Sequence, residues 1–149
     1  MGVRVLQFCA IVLTALALVP FGAHLFALPN KIGFGQQDYF TVQAIYRGWA
    51  LFGFALFGAL FANLALAALL AFRKRPYGLP LLAFLLIAAT LAIFFVWVYP
   101  VNQATSNWTL PTPNWTTLRI HWEYGHAVNA VLTFVALCLV TWSVVTARD

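Results

Sequence analysis

Charge is what this sequence has least of. Aspartate, glutamate, lysine and arginine make up 7% of its 149 residues, while hydrophobic types make up 64%; an ordinary soluble domain is roughly a quarter charged. Eight basic and three acidic side chains cannot coat a compact water-soluble fold of this length, so such a fold is excluded and lipid is the natural solvent. Cysteine is scarcer still. Cys9 and Cys138 each lie in an apolar run, with no CxxC pair and no histidine at ligand spacing. That argues against a disulfide framework or a thiolate metal centre, and reads as two small core residues. The net charge of +5 does not signal nucleic acid either. Three of the eight basic residues, Arg73, Lys74 and Arg75, stand together beside an apolar run, where they set membrane topology.

What the chain does have is long apolar runs. A bilayer core takes about 20 apolar residues per helix, and four segments qualify: 5–28, 45–72, 79–99 and 125–147. The first is too long for the h-region of a signal peptide and no convincing cleavage site comes after it, so it reads as a membrane helix. The predicted fold class is all-α, a four-helix transmembrane bundle forming one integral membrane domain over residues 1–149. Arg4, Arg73, Lys74, Arg75 and Arg148 fall on one side, and Lys31, Arg47 and Arg119 on the other. The positive-inside rule then places both termini in the cytoplasm, and the loops 29–44 and 100–124 face outward. The second loop is short and basic.

Within the second span, Ala55, Ala59, Asn63, Ala67 and Ala71 recur every fourth residue. They share a face on which helices approach closely, with Asn63 available to bond a neighbour. Pro20 and Gly22 predict a kink in the first helix, with His24 just beyond it. The third loop repeats Asn-Trp-Thr at 107–109 and 114–116, which matches a glycosylation acceptor but equally suits turn chemistry.

The informative residues are polar ones at the outward edge: His24, Arg47, Asn102, Arg119, His121, Glu123, His126 and Asn129. Ionisable groups near hydrocarbon cost several kcal/mol unless paired or hydrated. Their gathering at one depth reads either as a polar pocket or as interfacial capping. At about 100° per residue, Arg119, Trp122, Glu123, His126, Asn129 and Thr133 form one stripe. Arg119 and Glu123 can pair at i, i+4. His121 projects from the opposite side, so His-x-Glu-x-x-His does not converge as a metal site. His126 is the one side chain of the stripe whose ordinary pKa suits a base near neutral pH. Trp49, Trp97, Trp108, Trp115 and Trp122 read as an interfacial belt that also offers stacking surfaces.

Pro100-Val101-Asn102 after the third span, and Trp122-Glu123-Tyr124-Gly125-His126 opening the fourth, are similar to the Pro-x-Asn and Trp-x-x-x-His features of the anthrone-oxygenase-like family. Its members are small four-helix membrane proteins of bacteria and fungi, many without assigned function. Many relatives carry Arg three residues after that histidine, where this chain has Asn129. The resemblance implies a bacterial inner-membrane protein. It further implies an oxygenase that uses no cofactor and turns a lipophilic, anthrone-like substrate into a quinone with dioxygen. On that reading His126 is the base, Trp122 stacks on the rings, Asn129 or Asn102 bonds the developing enolate, and Arg119 supplies a positive field. His24 and Glu123 line the pocket. Two other readings stand beside it: a binding module in which His24 and His126 ligate a haem axially, and a non-catalytic membrane partner. The substrate and the oligomeric state are not legible.

Overall fold

The computed structural model describes residues 2–147. Helix α1 spans Gly2–Lys31, α2 Gln36–Gln43, α3 Gly53–Phe72, α4 Gly78–Ile93, α5 Tyr99–Ala104 and α6 Trp115–Val145. Two short 3₁₀ turns, Ala44–Tyr46 and Trp49–Phe52, lead into α3, and a π-helical turn, Phe94–Val98, joins α4 to α5. Four stretches are long and apolar enough to cross a membrane: Gly2–Lys31, Trp49–Phe72, Gly78–Ala104 and Trp115–Val145. This is the build of an integral membrane protein, all-helical as the runs predicted.

The bundle is up-down-up-down. Helix α1 packs on α3 and α6, and α4 on α3 and α6, so every packed neighbour is antiparallel and the order around the ring follows the chain. Packing departs from that of a soluble protein, since small residues fill much of the core and most phenylalanines lie outside it. Ala10, Ala17, Ala59, Ala62, Ala67, Ala83, Ala130 and Ala136 are buried, while Phe8, Phe26, Phe54, Phe61 and Phe72 point outward. Lipid is as apolar as a leucine core, so bulk gains little by turning inward, and small side chains let backbones close up. On α3, Ala59, Asn63 and Ala67 are buried as expected. Asn63 fastens α3 to α1, donating through Nδ2 to Thr14 Oγ1 at 3.0 Å. The structure also corrects the reading of Cys138, which is exposed on the outer surface of α6, while Cys9 is half-buried.

The spans differ from the apolar runs at their ends. Helix α1 continues through Pro20 and Pro29 to Lys31, because a proline removes one helical hydrogen bond and need not end the helix. Helix α6 begins ten residues before the predicted 125, at Trp115. Its first three turns mix Trp115, Leu118 and Trp122 with Arg119 and Glu123 on the side facing the bundle, so a search for a continuous apolar run passes over them. The loop 100–124 is therefore largely helical at both ends. Between them Ser106, Asn107 and Trp108 have φ of 46°, 55° and 64°, which makes the first Asn-Trp-Thr element a left-handed turn. Arg148, counted in the charge asymmetry, lies outside the described residues.

Candidate functional site

The buried positions of α1 are Ala10, Thr14, Ala17, Phe21, His24 and Lys31, a seam stepping by four, three, four, three and seven residues. The seam is apolar and small over its first half and ends in a histidine and a lysine. Helix α6 answers it with Trp122, Glu123, His126, Asn129 and Thr133, all buried. Because α1 runs up and α6 down, their polar stretches meet at one end of the bundle, its polar end.

The centre of that end is Glu123, 1% exposed. Its Oε1 lies 2.9 Å from Lys31 Nζ, accepts the Tyr39 hydroxyl at 2.8 Å and accepts Gln43 Nε2 at 3.4 Å. Lys31 also lies over the rings of Tyr46, at 4.7 Å, and Trp122, at 5.3 Å. Tyr39 and Gln43 sit at i and i+4 on α2, so this short helix presents both to one carboxylate. Burial first, and the Glu123 charge next, push the Tyr39 hydroxyl above its ordinary pKa of 10.0. It therefore remains a donor. Glu123 does not pair with Arg119, contrary to the i, i+4 expectation. The guanidinium of Arg119 reaches away, donating Nη1–H to Phe34 O at 2.7 Å and lying over the rings of Trp115 and Tyr39. A wholly buried carboxylate is stabilised more by a buried cation and two converging donors than by a guanidinium with access to a loop carbonyl.

Beneath this hub, His24 and His126 stack with ring centroids 4.1 Å apart and an interplanar angle of 27°. Trp122 stands edge-on to both, at 4.6 Å from His24 and 4.4 Å from His126. Its indole Nε1–H donates to Asn102 Oδ1 at 2.8 Å, so Asn102 orients the tryptophan, with its NH₂ uncommitted to that bond. Tyr46 lies 4.1 Å from His24 and Phe21 5.9 Å from His126, which completes an aromatic box around the pair. Asn129, one helical turn deeper, is fully buried. Both its amide atoms, the Nδ1 atoms of both histidines and Glu123 Oε2 are buried without a hydrogen-bond partner among the described residues.

The structure thus brings together His24, Glu123, His126, Trp122, Asn102 and Asn129, and sets Arg119 at the rim. His121 is exposed, on the opposite side as predicted. Trp108 and Trp122 are buried and belong to this core, not to an interfacial belt. Lys31, Tyr39 and Gln43 were absent from the expected site. Lys31 carried a signal, since it extends the α1 seam at i+7 from His24, but the apolar run ends at residue 28, short of it. Tyr39 and Gln43 carried none, since α2 is too short and polar to be read as part of a membrane bundle. The histidine pair does not suit axial haem ligation in this arrangement. Axial ligands approach from opposite faces of the macrocycle, and these rings lie face against face. No group of three or more His, Cys, Asp or Glu suited to a metal ion occurs among the described residues.

Comparison of the chain with protein families, curated proteins and solved structures found no match. The functional reading therefore rests on this site.

Proposed function

We propose that this protein is an integral membrane oxygenase that acts on a lipophilic, anthrone-like aromatic substrate without a cofactor, with His126 as the base. One observation carries the reading. Buried polar groups are almost always hydrogen-bonded, yet here two histidine Nδ1 atoms inside a box of aromatic rings, and a complete amide one helical turn deeper, are left over. Such spare capacity, with stacking surfaces beside it, suits a planar ligand bearing an oxygen.

The chemistry is set by those groups. His126 takes a proton from a methylene flanked by aromatic rings, and the electron pair spreads onto a conjugated carbonyl oxygen as an enolate. Asn129 donates to that oxygen, and Lys31 adds positive potential from over the Trp122 ring. Lys31 takes the place given to Arg119 on the sequence alone. The carbanion adds dioxygen and, once protonated, becomes a hydroperoxide. Loss of the second methylene proton with cleavage of the O–O bond leaves a carbonyl and releases water. One dioxygen is consumed, the carbon is oxidised by four electrons, and no outside reductant is needed. The excess of basic residues at the other end supports termini in the cytoplasm of a bacterial inner membrane, with the polar end outward.

Oxygen uptake with an anthrone substrate, using protein in nanodiscs, tests this. His126→Ala is expected to lower the rate by about 10²- to 10⁴-fold, the usual contribution of a positioned base. Equal uptake by wild type and variant removes His126 from that role.

A further inference from the structure

We infer that the stretch 44–52 is a lateral door, through which a lipophilic molecule reaches His24 and His126 from the hydrocarbon and not from the water at the polar end. The nature of that molecule rests on the proposed oxygenase function; the route rests on how the site is closed on its two sides.

Toward the polar end the closure is a polar plug. Lys31, Tyr39 and Gln43 converge on Glu123, Trp108 packs against Tyr39 and Trp122, and Arg119 ties α6 to Phe34 O. Opening that side separates an ion pair and strips hydrogen bonds from groups that are already buried, which is the costliest kind of rupture in an apolar setting.

Toward the flank the closure is two rings. Tyr46, at 4.1 Å, and Trp49, at 6.1 Å, cover His24, and they pack on each other at 4.9 Å. They sit on the two 3₁₀ turns, whose backbone bonds close within the stretch: Arg47 N–H to Ala44 O and Leu51 N–H to Gly48 O, each 3.2 Å. Between the turns Gly48 has φ of 86°, with open space where a side chain would stand. Neither turn contains a buried residue. The door therefore swings about Gly48 by parting ring contacts and the cation–π contact of Lys31 with Tyr46, without separating the Lys31–Glu123 ion pair or a side-chain hydrogen bond, and such contacts are weaker than the plug. Exposed on its outer surface are Ile45 at 62%, Leu51 at 70% and nearby Phe54 at 80%, together with Arg47. The apolar side chains suit hydrocarbon, and Arg47 is long enough to carry its charge to the water at the polar end.

Access is measured with a single cysteine beside His126, Phe21→Cys, in a chain whose Cys9 and Cys138 are serine, reconstituted in nanodiscs. N-ethylmaleimide, which is neutral and dissolves in lipid, and a trimethylammonium methanethiosulfonate, which stays in water, are each timed. Each rate is taken relative to the same reagent on the exposed His121→Cys. Tyr46→Ala and Trp49→Ala are each expected to raise labelling by the neutral reagent on the order of tenfold, the effect of losing one ring contact. The charged reagent is expected to remain slow. Gly48→Val, which forces the backbone from its left-handed conformation without touching either ring, is expected to raise the neutral rate as well. Unchanged neutral labelling in all three variants overturns the door, and so does an equal rise with the charged reagent. Labelling reads access alone, so a failed oxygen-uptake experiment and a failed door are told apart.

Discussion

Asn129 is the side chain whose behaviour separates function from architecture. A buried amide with neither donor nor acceptor matched costs about 1–3 kcal/mol, and Asn129 is fully buried with both atoms unpartnered among the described residues. Asn129→Leu is therefore expected to hold or raise the stability of the bundle in denaturant titration. If the amide bonds the enolate, the same substitution lowers kcat by about 10²- to 10³-fold, the effect of deleting one oxyanion donor. A purely architectural asparagine gives the reverse: lost stability and intact turnover. Glu123 behaves differently, because its carboxylate is matched on Oε1 by a cation, a hydroxyl and an amide. Its pairing with Lys31 was not legible in the sequence. Arg119 at i−4 was the nearer basic residue along the chain, and only the packing of α1 against α6 makes Lys31 nearer in space.

At the scale of the elements, the π-helical turn Phe94–Val98 and Gly125 fit each other. The extra residue that a π turn inserts re-aims the next helix, here carrying Asn102 of α5 to the Trp122 indole. The turn also brings Val98, fully buried, so close to α6 that a side chain on Gly125 would stand 2.9 Å from Val98 Cγ2. Gly125→Ala is expected to destabilise the protein by about 1–3 kcal/mol through overpacking, because a valine has little freedom to turn away. Combining it with Val98→Ala is expected to cost less than the sum of the two single changes, read from a double-mutant cycle in denaturant. The sequence contained Gly125 inside its Trp-x-x-x-His feature but nothing to say why it is small. That reason lies on another helix. Helix α1 shows another case: the predicted span ended at residue 28 with its apolar run, and only the folded helix shows the seam from Ala10 to His24 continuing to Lys31.

Over the whole molecule, the polar end joins α1, α2 and α6 through one carboxylate, so its protonation chemistry bears on global stability. Burial and Glu123 raise the Tyr39 pKa in the folded state above the ordinary 10.0, so the folded protein keeps a proton that the unfolded chain gives up. This contribution is fully present below about pH 10 and declines as pH rises above it, by roughly 1.4 kcal/mol per pH unit for one proton. Tyr39→Phe is expected to be less stable at neutral pH and to lose stability less steeply above pH 10 by that one-proton slope, measured by unfolding from about pH 8 to 12. A slope equal to wild type would show that Tyr39 titrates alike in both states. By itself the sequence determined the solvent, the number of crossings and the inward stripe of α6, because hydropathy and helical period are properties of consecutive residues. Tertiary structure decided which charges pair, that His24 lies against His126, and that most phenylalanines face out while alanines fill the seams between helices. Those depend on which helices adjoin and at what height, and an apolar run is silent on both, since lipid and helix present it with nearly the same surroundings.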